Sequence, residues 1–267
     1  MEPQSFVAEV YRRMARVASQ DRRPPSSLDV FLTDNRLVSG YFRLNYAGLL
    51  PEDPSAPILD LGCSEGSFVA GVLDRGYTDV TGADLGTDHA AQIQGWGAKF
   101  EQVRGSIPAF LTERPGTYDL IHAAHLVEHI PKHDLLENLD AIYYGLRPGG
   151  RVVLVTPNML SPVAMWSLYV TLGHEYGFSY SNLESLLSIC GFDRVSTSSV
   201  SSAGSSPISR AARASLQLSA RVRYRAYGLK SLPLASSILG TGVRPEVDPL
   251  PERVRAERHG DEEPEPA

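Results

Sequence analysis

Apolar residues in the middle of the chain fall alternately into short continuous runs and into helical spacing. The continuous runs predict four buried β-strands, over residues 58–61, 79–84, 118–123 and 151–156. The helical spacing predicts a helix from Phe68, a second that runs from Pro131 to Leu146, and a third from Ser181 to Gly191, where Ser181-x-x-Glu184 fits a capping box. This alternation predicts an α/β fold with a doubly wound, mostly parallel sheet covered on both faces.

Changes in composition at both ends divide the chain. We expect one compact domain over residues 28–200, preceded by an N-terminal helical extension and linker over residues 1–27. A Ser-rich linker and basic helical arm follow over residues 201–244, and then an acidic tail, 245–267, that we expect to be disordered. A helix over residues 207–230 of the arm could rest on an anionic membrane surface, and the alternative is a solvated or self-associated helix.

The overall charge and the cysteine content narrow the class of protein. The chain has 267 residues, with 25 Lys and Arg against 31 Asp and Glu, a net charge of −6 that argues against general nucleic-acid binding. Two cysteines, Cys63 and Cys190, cannot form a disulfide framework. No apolar run is long enough to span a bilayer or to serve as a secretory signal. We therefore expect a cytoplasmic protein, with peripheral contact at the inner membrane surface through the basic arm.

Candidate chemistry begins at the first strand-to-helix turn, which reads Asp60-Leu-Gly62-Cys-Ser64-Glu-Gly66. Ligands of open α/β sheets bind at the carboxyl ends of the strands, and glycines let the backbone approach a ligand closely. Asp84 ends the next predicted strand, where a carboxylate can accept both hydroxyls of an adenosine ribose. Together the turn and Asp84 indicate a nucleoside site.

Three other interpretations of this turn compete with that one. A dinucleotide fingerprint needs Gly-x-Gly-x-x-Gly, and the turn offers Gly-x-Ser-x-Gly-Ser instead. Gly62-Cys-Ser64-Glu-Gly66 matches a hydrolase nucleophile elbow, but about 57 residues before it leave little room for an oxyanion hole, and no clear Asp-then-His order follows. A plain strand-to-helix turn would use its glycines for geometry alone, which leaves Asp84 unexplained.

Five linked motifs resemble the class I S-adenosylmethionine-dependent methyltransferases in order and spacing. They are the stretch 58–68, Gly82-Ala-Asp84, Tyr118-Asp-Leu-Ile121, His125-Leu-Val-Glu-His-Ile-Pro131 and the stretch 146–154. Within that family, Thr156-Pro-Asn158, His174 and residues 182–192 look most like the branch of ubiquinone-biosynthesis, glycan and natural-product O-methyltransferases. The resemblance covers roughly residues 58–198 and implies a Rossmann-like class I methyltransferase fold with S-adenosyl-L-methionine as cofactor.

The resemblance also implies which residues hold the cofactor. Its methionyl part falls to Asp60, Gly62, Ser64 and Gly66, and its ribose to Asp84 and Leu85. Two positions depart from the family pattern. Ser64 replaces the middle glycine of the first motif, and Ser106 replaces the acid that often binds the adenine amine. Ser106 could still make one hydrogen bond to the adenine.

Histidines cluster where the acceptor should meet the cofactor, and a hydroxyl acceptor benefits from a general base. We expect His125 to be that base, with His174 and then His129 as the next candidates, although packing and capping are competing roles for His129. His122 should be a core residue. His125, Glu128 and His129 could instead hold a divalent metal, but no further oxygen ligands are evident, so no metal is assigned.

Two segments could complete the active site. Residues 37–50, which include Tyr41 and Tyr46, could form a lid, or a helix packed on the sheet edge. Residues 162–173 could form an apolar wall for the acceptor. The sequence thus predicts a methyltransferase acting on a hydroxyl of a sugar, glycan precursor or small metabolite, with no nucleic-acid partner and an undetermined oligomeric state. The alternative is a catalytically silent nucleoside-binding or scaffolding protein of the same fold.

Overall fold

The computed structural model describes residues 27–34, 36–161, 164–169, 172–201 and 235–247, together with scattered positions between 211 and 226. Within these ranges, seven strands form one sheet of order β3-β2-β1-β4-β5-β7-β6. The strands are β1 Ile58–Leu61, β2 Val80–Asp84, β3 Lys99–Gln102, β4 Tyr118–Ala124, β5 Leu146–Pro157, β6 Asp193–Ser199 and β7 Ser237–Val243. The first five run parallel, and β7 is antiparallel to both of its neighbours. The predicted doubly wound, mostly parallel sheet is confirmed.

Helices cover both faces of this sheet. They are α1 Leu28–Asp34, α2 Arg36–Asn45, α3 Ser67–Leu73, α4 Ala90–Gly95, α5 Ile107–Thr112, α6 Leu135–Gly145, α7 Ala164–Tyr169 and α8 Tyr180–Ile189. One apolar cluster packs α5, α6 and α8 on one face, and a second packs α1 to α4 on the other. The chain order reverses at β1, which lies between β2 and β4. A ligand crevice is expected at the carboxyl ends of β1 and β4, beside this switch point.

Three strand predictions need correction. β3 was missed because it is an edge strand whose residues, Lys99 to Gln102, are half-buried or exposed and form no apolar run. β5 begins at Leu146 rather than at residue 151, and the Pro148-Gly149-Gly150 segment lies inside it as an irregularity opposite β4. The sheet also extends beyond the predicted domain boundary at residue 200, since β7 inserts between β5 and β6.

Two helix predictions also need correction. Pro131 lies in a turn, and helix α6 begins at Leu135. Helix α8 begins at Tyr180 and is capped by Ser179, whose hydroxyl accepts the Asn182 backbone N–H while the Asn182 side chain accepts the Ser179 backbone N–H. The capping box is therefore present two residues before the predicted Ser181-x-x-Glu184, with an amide in place of the carboxylate.

The predicted N-terminal extension, most of the basic arm and nearly all of the acidic tail lie outside the described residues. The positions described between 211 and 226 are helical and exposed, and the membrane contact of residues 207–230 stays a prediction. Among the helices that the structure describes, none is long and apolar enough to cross a membrane.

Helix α2 is fixed to helix α3 by a ring seated on a glycine. A Cβ added to Gly71 would lie 2.2 Å from Cδ2 of Phe42, whose ring is 1% exposed and also lies under the Arg75 guanidinium at 4.2 Å. We expect Gly71→Ala to destabilise the protein by up to about 2 kcal/mol, because overpacking costs ~1–3 kcal/mol and the gain in helix propensity returns roughly 1 kcal/mol of it. Thermal unfolding measures this loss. Gly48→Ala is the control, since its Cβ would meet nothing within 4 Å, and an equal loss there would contradict the prediction.

Candidate functional site

The turn between β1 and α3 depends on three left-handed backbone positions. Gly62, Ser64 and Gly66 have φ angles of 71°, 47° and 86°. A Cβ on Gly66 would lie 2.8 Å from Cζ3 of Trp96, so this position requires glycine for space as well as for conformation. Ser64 adopts the same left-handed region at a cost of about 1–2 kcal/mol, and its side chain is exposed. The replacement of glycine by Ser64 therefore leaves the shape of the turn intact.

Asp84 connects this turn to the end of β2. Its Oδ2 accepts the Ser64 backbone N–H at 2.9 Å, and its Oδ1 accepts the Gly86 backbone N–H at 2.9 Å. Each carboxylate oxygen can accept a second hydrogen bond. Leu85 follows directly and is 43% exposed. The structure thus places a fixed carboxylate and an exposed apolar side chain beside the glycine turn, an arrangement that suits a ribose and its base.

Ser106 has a structural role that sequence reasoning missed. Its Oγ accepts the Ala109 backbone N–H at 3.3 Å and caps helix α5. The signal was available, since Ser106 precedes Ile107-Pro108 and proline favours the first turn of a helix. The hydroxyl hydrogen of Ser106 remains the group with which it could contact an adenine.

Beneath the turn, Asp60 and His122 face each other across β1 and β4. The two residues are register partners, and Asp60 Oδ1 lies 2.7 Å from His122 Nδ1. Both are buried, with exposures of 3% and 1%, as their strand positions predict. Burial raises the pKa of the Asp60 carboxyl, and the hydrogen bond from His122 opposes that rise.

The hydrolase interpretation of the turn finds no support in the geometry. Ser64 Oγ makes no hydrogen bond to an imidazole within the described ranges, and both ring nitrogens of His122 lie against Asp60 and Tyr46. Burial strongly raises the pKa of the Cys63 thiol, which disfavours a thiolate nucleophile at this turn.

His125 stands directly after β4, at the mouth of the crevice. Its φ of 54° is left-handed and turns the chain sharply out of the sheet, and its backbone N–H donates to the Val155 carbonyl at 2.8 Å. The imidazole is 53% exposed, and its Nδ1 lies 3.0 Å from Oε1 of Glu128, a carboxylate that is 2% exposed. Among the described residues, Glu128 Oε2 has no hydrogen-bond partner. An exposed imidazole held by a buried carboxylate is the arrangement of a general base.

The other two candidate histidines lie together on the far side of Glu128. His129 Nδ1 donates to the Gly173 carbonyl at 2.8 Å, and His174 Nδ1 donates to the Ser167 carbonyl at 2.7 Å. Their ring centroids are 4.6 Å apart. Burial lowers the pKa of His129, since apolar surroundings disfavour an imidazolium.

The structure brings together a different set of possible metal ligands from the set predicted from the sequence. Glu128, His129 and His174 each offer a ligand atom, and the three atoms lie within 4.8 Å of one another. The group found among the described residues therefore contains His174 instead of the predicted His125. In metal sites the ring nitrogen that does not bind the ion commonly donates to a backbone carbonyl, as Nδ1 of both imidazoles does here, so this group could hold a divalent ion.

The structure describes some of the side chains in the segments predicted to form the lid and the acceptor wall. Phe42 and Tyr46, from the predicted lid over residues 37–50, are buried against Phe68 in the core, which agrees with the alternative of a packed helix. Within residues 162–173, Trp166 and Tyr169 are 68% and 74% exposed. These two rings face solvent rather than a closed pocket.

Residues 36–197, more than half of the chain, match a protein family described as "Methyltransferase domain". The ubiquinone biosynthesis O-methyltransferase of Pectobacterium carotovorum subsp. carotovorum (strain PC1) is 30% identical over 149 residues, which cover 53% of this chain and 57% of that protein. The enzyme of the same name from Aliivibrio fischeri (strain MJ11) is 31% identical over 108 residues, which cover 38% of this chain and 44% of that protein. The chain thus spans about half the length of the curated relatives it matches.

Solved structures share the fold at lower identity. A SAM-dependent methyltransferase from Archaeoglobus fulgidus aligns with a TM-score of 0.58 and 20% identity, over 80% of this chain and 98% of that one. The 1,6-didemethyltoxoflavin-N1-methyltransferase of Burkholderia thailandensis, solved with 1,6-didemethyltoxoflavin and S-adenosylhomocysteine, aligns with a TM-score of 0.58 and 20% identity, over 92% and 91% of the two chains. At these identities the similarity concerns the fold alone.

Proposed function

The chain belongs to the class I S-adenosylmethionine-dependent methyltransferases, and we propose that it transfers the methyl group of that cofactor to a hydroxyl oxygen of a sugar, glycan precursor or small metabolite. The observation that carries the proposal is the His125–Glu128 pair at the carboxyl end of β4. An amine acceptor with a free lone pair needs no base, whereas a hydroxyl is a better nucleophile when its proton is removed. The names of the curated relatives, which are O-methyltransferases, also support an oxygen acceptor.

The residues around the glycine turn fit S-adenosylmethionine. Asp84 offers a carboxylate for the ribose hydroxyls, Asp60 offers a buried carboxylate for the methionyl ammonium, and Gly62 and Gly66 leave the backbone of the turn without side chains at these two positions. When bound, the cofactor supplies an activated methyl group together with its own leaving group. The contribution of this chain is then to orient the acceptor, which can lower the barrier by ~7–11 kcal/mol, and to remove a proton.

In this proposal His125 removes the proton from the acceptor hydroxyl. Its Nδ1 carries hydrogen toward Glu128 Oε1, so its Nε2 is the basic nitrogen that can take a proton from the acceptor hydroxyl. Glu128 holds the ring and stabilises the imidazolium that forms, and its burial makes that interaction stronger than in water.

The silent nucleoside-binding alternative rests on Ser64 and Ser106, the two departures from the family pattern. Ser64 donates its backbone N–H to Asp84, and this contact does not depend on the side chain at position 64. Ser106 keeps its hydroxyl hydrogen for a ligand while its oxygen caps helix α5. Neither departure therefore removes a contact that the cofactor needs, so the observation behind the silent alternative does not by itself favour it.

Methyl transfer from labelled S-adenosylmethionine tests the proposed function directly. We expect label to enter catechols, phenols or sugars as a base-stable methyl ether, with no transfer to matched acceptors in which the hydroxyl is replaced by hydrogen. Product analysis by mass spectrometry checks the methylated atom. Transfer to nitrogen or carbon acceptors alone would contradict an oxygen acceptor, and cofactor binding without transfer to any acceptor class would favour the silent alternative.

A further inference from the structure

A chain of buried polar side chains lies beneath the glycine turn and reaches away from it into the core. Asp60 Oδ1 contacts His122 Nδ1 at 2.7 Å, and His122 Nε2 contacts the Tyr46 hydroxyl at 3.2 Å. The imidazole is also stacked on Phe68, with ring centroids 3.7 Å apart and an interplanar angle of 8°. All four residues are buried, so both hydrogen bonds that link Asp60, His122 and Tyr46 are formed away from competing water.

The contacts of His122 fix its hydrogen-bonding roles. A carboxylate oxygen can only accept, so Nδ1 carries the hydrogen that is donated to Asp60. In the neutral ring, Nε2 is then the acceptor and receives the hydroxyl hydrogen of Tyr46. The ring cannot rotate without losing both bonds and the stack on Phe68. His122 therefore holds Asp60 in one rotamer.

The same contacts leave one carboxylate oxygen of Asp60 for a ligand. Oδ1 is committed to His122, and Oδ2 has no hydrogen-bond partner in the part of the chain that the structure describes. Burial favours the neutral carboxylic acid and raises the pKa of Asp60 on balance. The hydrogen bond from Nδ1 to Oδ1 and a ligand ammonium beside Oδ2 both favour the ionised form, in which Oδ2 can accept a charge-assisted hydrogen bond.

We propose that His122, supported by Tyr46, is a positioning residue that holds Asp60 so that Oδ2 binds the α-ammonium group of S-adenosylmethionine. This inference rests on the cofactor use stated under the proposed function and adds two residues, from β4 and from the segment after α2, to the control of the methionyl end. It requires neither residue to touch the cofactor. Its effect should therefore appear only for ligands that carry the α-amino-acid group.

Two ligands separate this role from a general effect on folding. S-Adenosylhomocysteine carries the α-amino-acid group, and 5′-methylthioadenosine shares its adenosine and thioether but lacks that group. We expect His122→Leu to weaken S-adenosylhomocysteine binding about 20-fold in calorimetry, because a hydrogen bond to a charged group is worth ~1.5–3 kcal/mol, and to change 5′-methylthioadenosine binding less than about twofold. His122→Asn can still donate to Asp60 from its amide, and we expect it to recover most of the affinity.

Tyr46→Phe and Tyr77→Phe form a matched pair for the second link. Both remove a phenolic hydroxyl, but that of Tyr46 bonds to His122 whereas that of Tyr77 bonds to the Pro51 carbonyl, away from Asp60. We expect Tyr46→Phe to weaken S-adenosylhomocysteine about threefold with no change for 5′-methylthioadenosine, and Tyr77→Phe to change neither.

An equal loss for both ligands in His122→Leu and Tyr46→Phe, or no loss for either, would overturn the inference. Absence of S-adenosylhomocysteine binding by the unaltered protein would overturn it as well. The proposed oxygen acceptor fails separately, when the unaltered protein binds the cofactor and transfers its methyl group to no hydroxyl.

Discussion

Asp84→Ala is expected to weaken S-adenosylhomocysteine binding by about two orders of magnitude. Two ribose hydroxyls donating to one carboxylate are worth ~1.5–3 kcal/mol each, and each 1.4 kcal/mol is a factor of ten in affinity. The substitution also removes the acceptor for the Ser64 and Gly86 backbone N–H groups, which shape the glycine turn. Isothermal titration calorimetry measures the change, and 5′-methylthioadenosine should lose affinity by a similar factor because it keeps the ribose.

Asp79→Ala is the matched control for this prediction. Asp79 immediately precedes β2 at its amino end, the opposite end from Asp84, and pairs with Lys99 at 2.7 Å on the surface. We expect its removal to leave affinity for both ligands unchanged. The affinity of Asp84→Asn should lie between those of Asp84→Ala and Asp79→Ala, since an amide oxygen can still accept hydrogen bonds but carries no charge. Full affinity in Asp84→Ala would mean that the ribose binds elsewhere.

The strands that could be predicted from the sequence are those buried on both faces. Ile58–Leu61 and Tyr118–Ala124 have neighbours on both sides in the sheet and read as continuous apolar runs. β7 gave no such signal, because it contains Gly240 and Gly242. A Cβ on either glycine would lie 2.7 Å from a side-chain atom, of Leu183 or Phe192 respectively. The side chains packed on β7 leave room only for glycine at these two positions, and the same glycines make the segment resemble a linker in the sequence.

In the site, too, the features formed by residues close in sequence could be predicted, and those formed by distant residues could not. The glycine turn and the His125–Glu128 pair involve residues close together in sequence, so their spacing carried information. Asp60 and His122 are 62 residues apart and meet through the register of β1 against β4. His122 and Tyr46 are 76 residues apart and meet because the segment after α2 packs against the core. The cap at Ser106 also has a local signal, because this residue precedes Ile107-Pro108, whereas the resemblance implies a ligand role at the same position.

His125→Ala is expected to lower kcat for a hydroxyl acceptor by about 10²–10⁴-fold, the usual contribution of a general base, while S-adenosylhomocysteine affinity stays within about twofold. The separation follows from geometry, because His125 follows β4 whereas Asp84 ends β2. Steady-state rates of methyl-ether formation measure the first effect, and calorimetry with S-adenosylhomocysteine measures the second.

Two variants and one treatment decide what Glu128 contributes to this rate. Glu128→Gln keeps the size of the side chain and removes the charge that stabilises the imidazolium, so we expect a loss of about 10–100-fold. His133→Ala is the control, since His133 is exposed in the following turn, and we expect it to retain the full rate.

Unchanged turnover in His125→Ala would exclude His125 as the base. Activity that falls on dialysis against EDTA and returns with a divalent metal would instead assign Glu128, His129 and His174 as metal ligands.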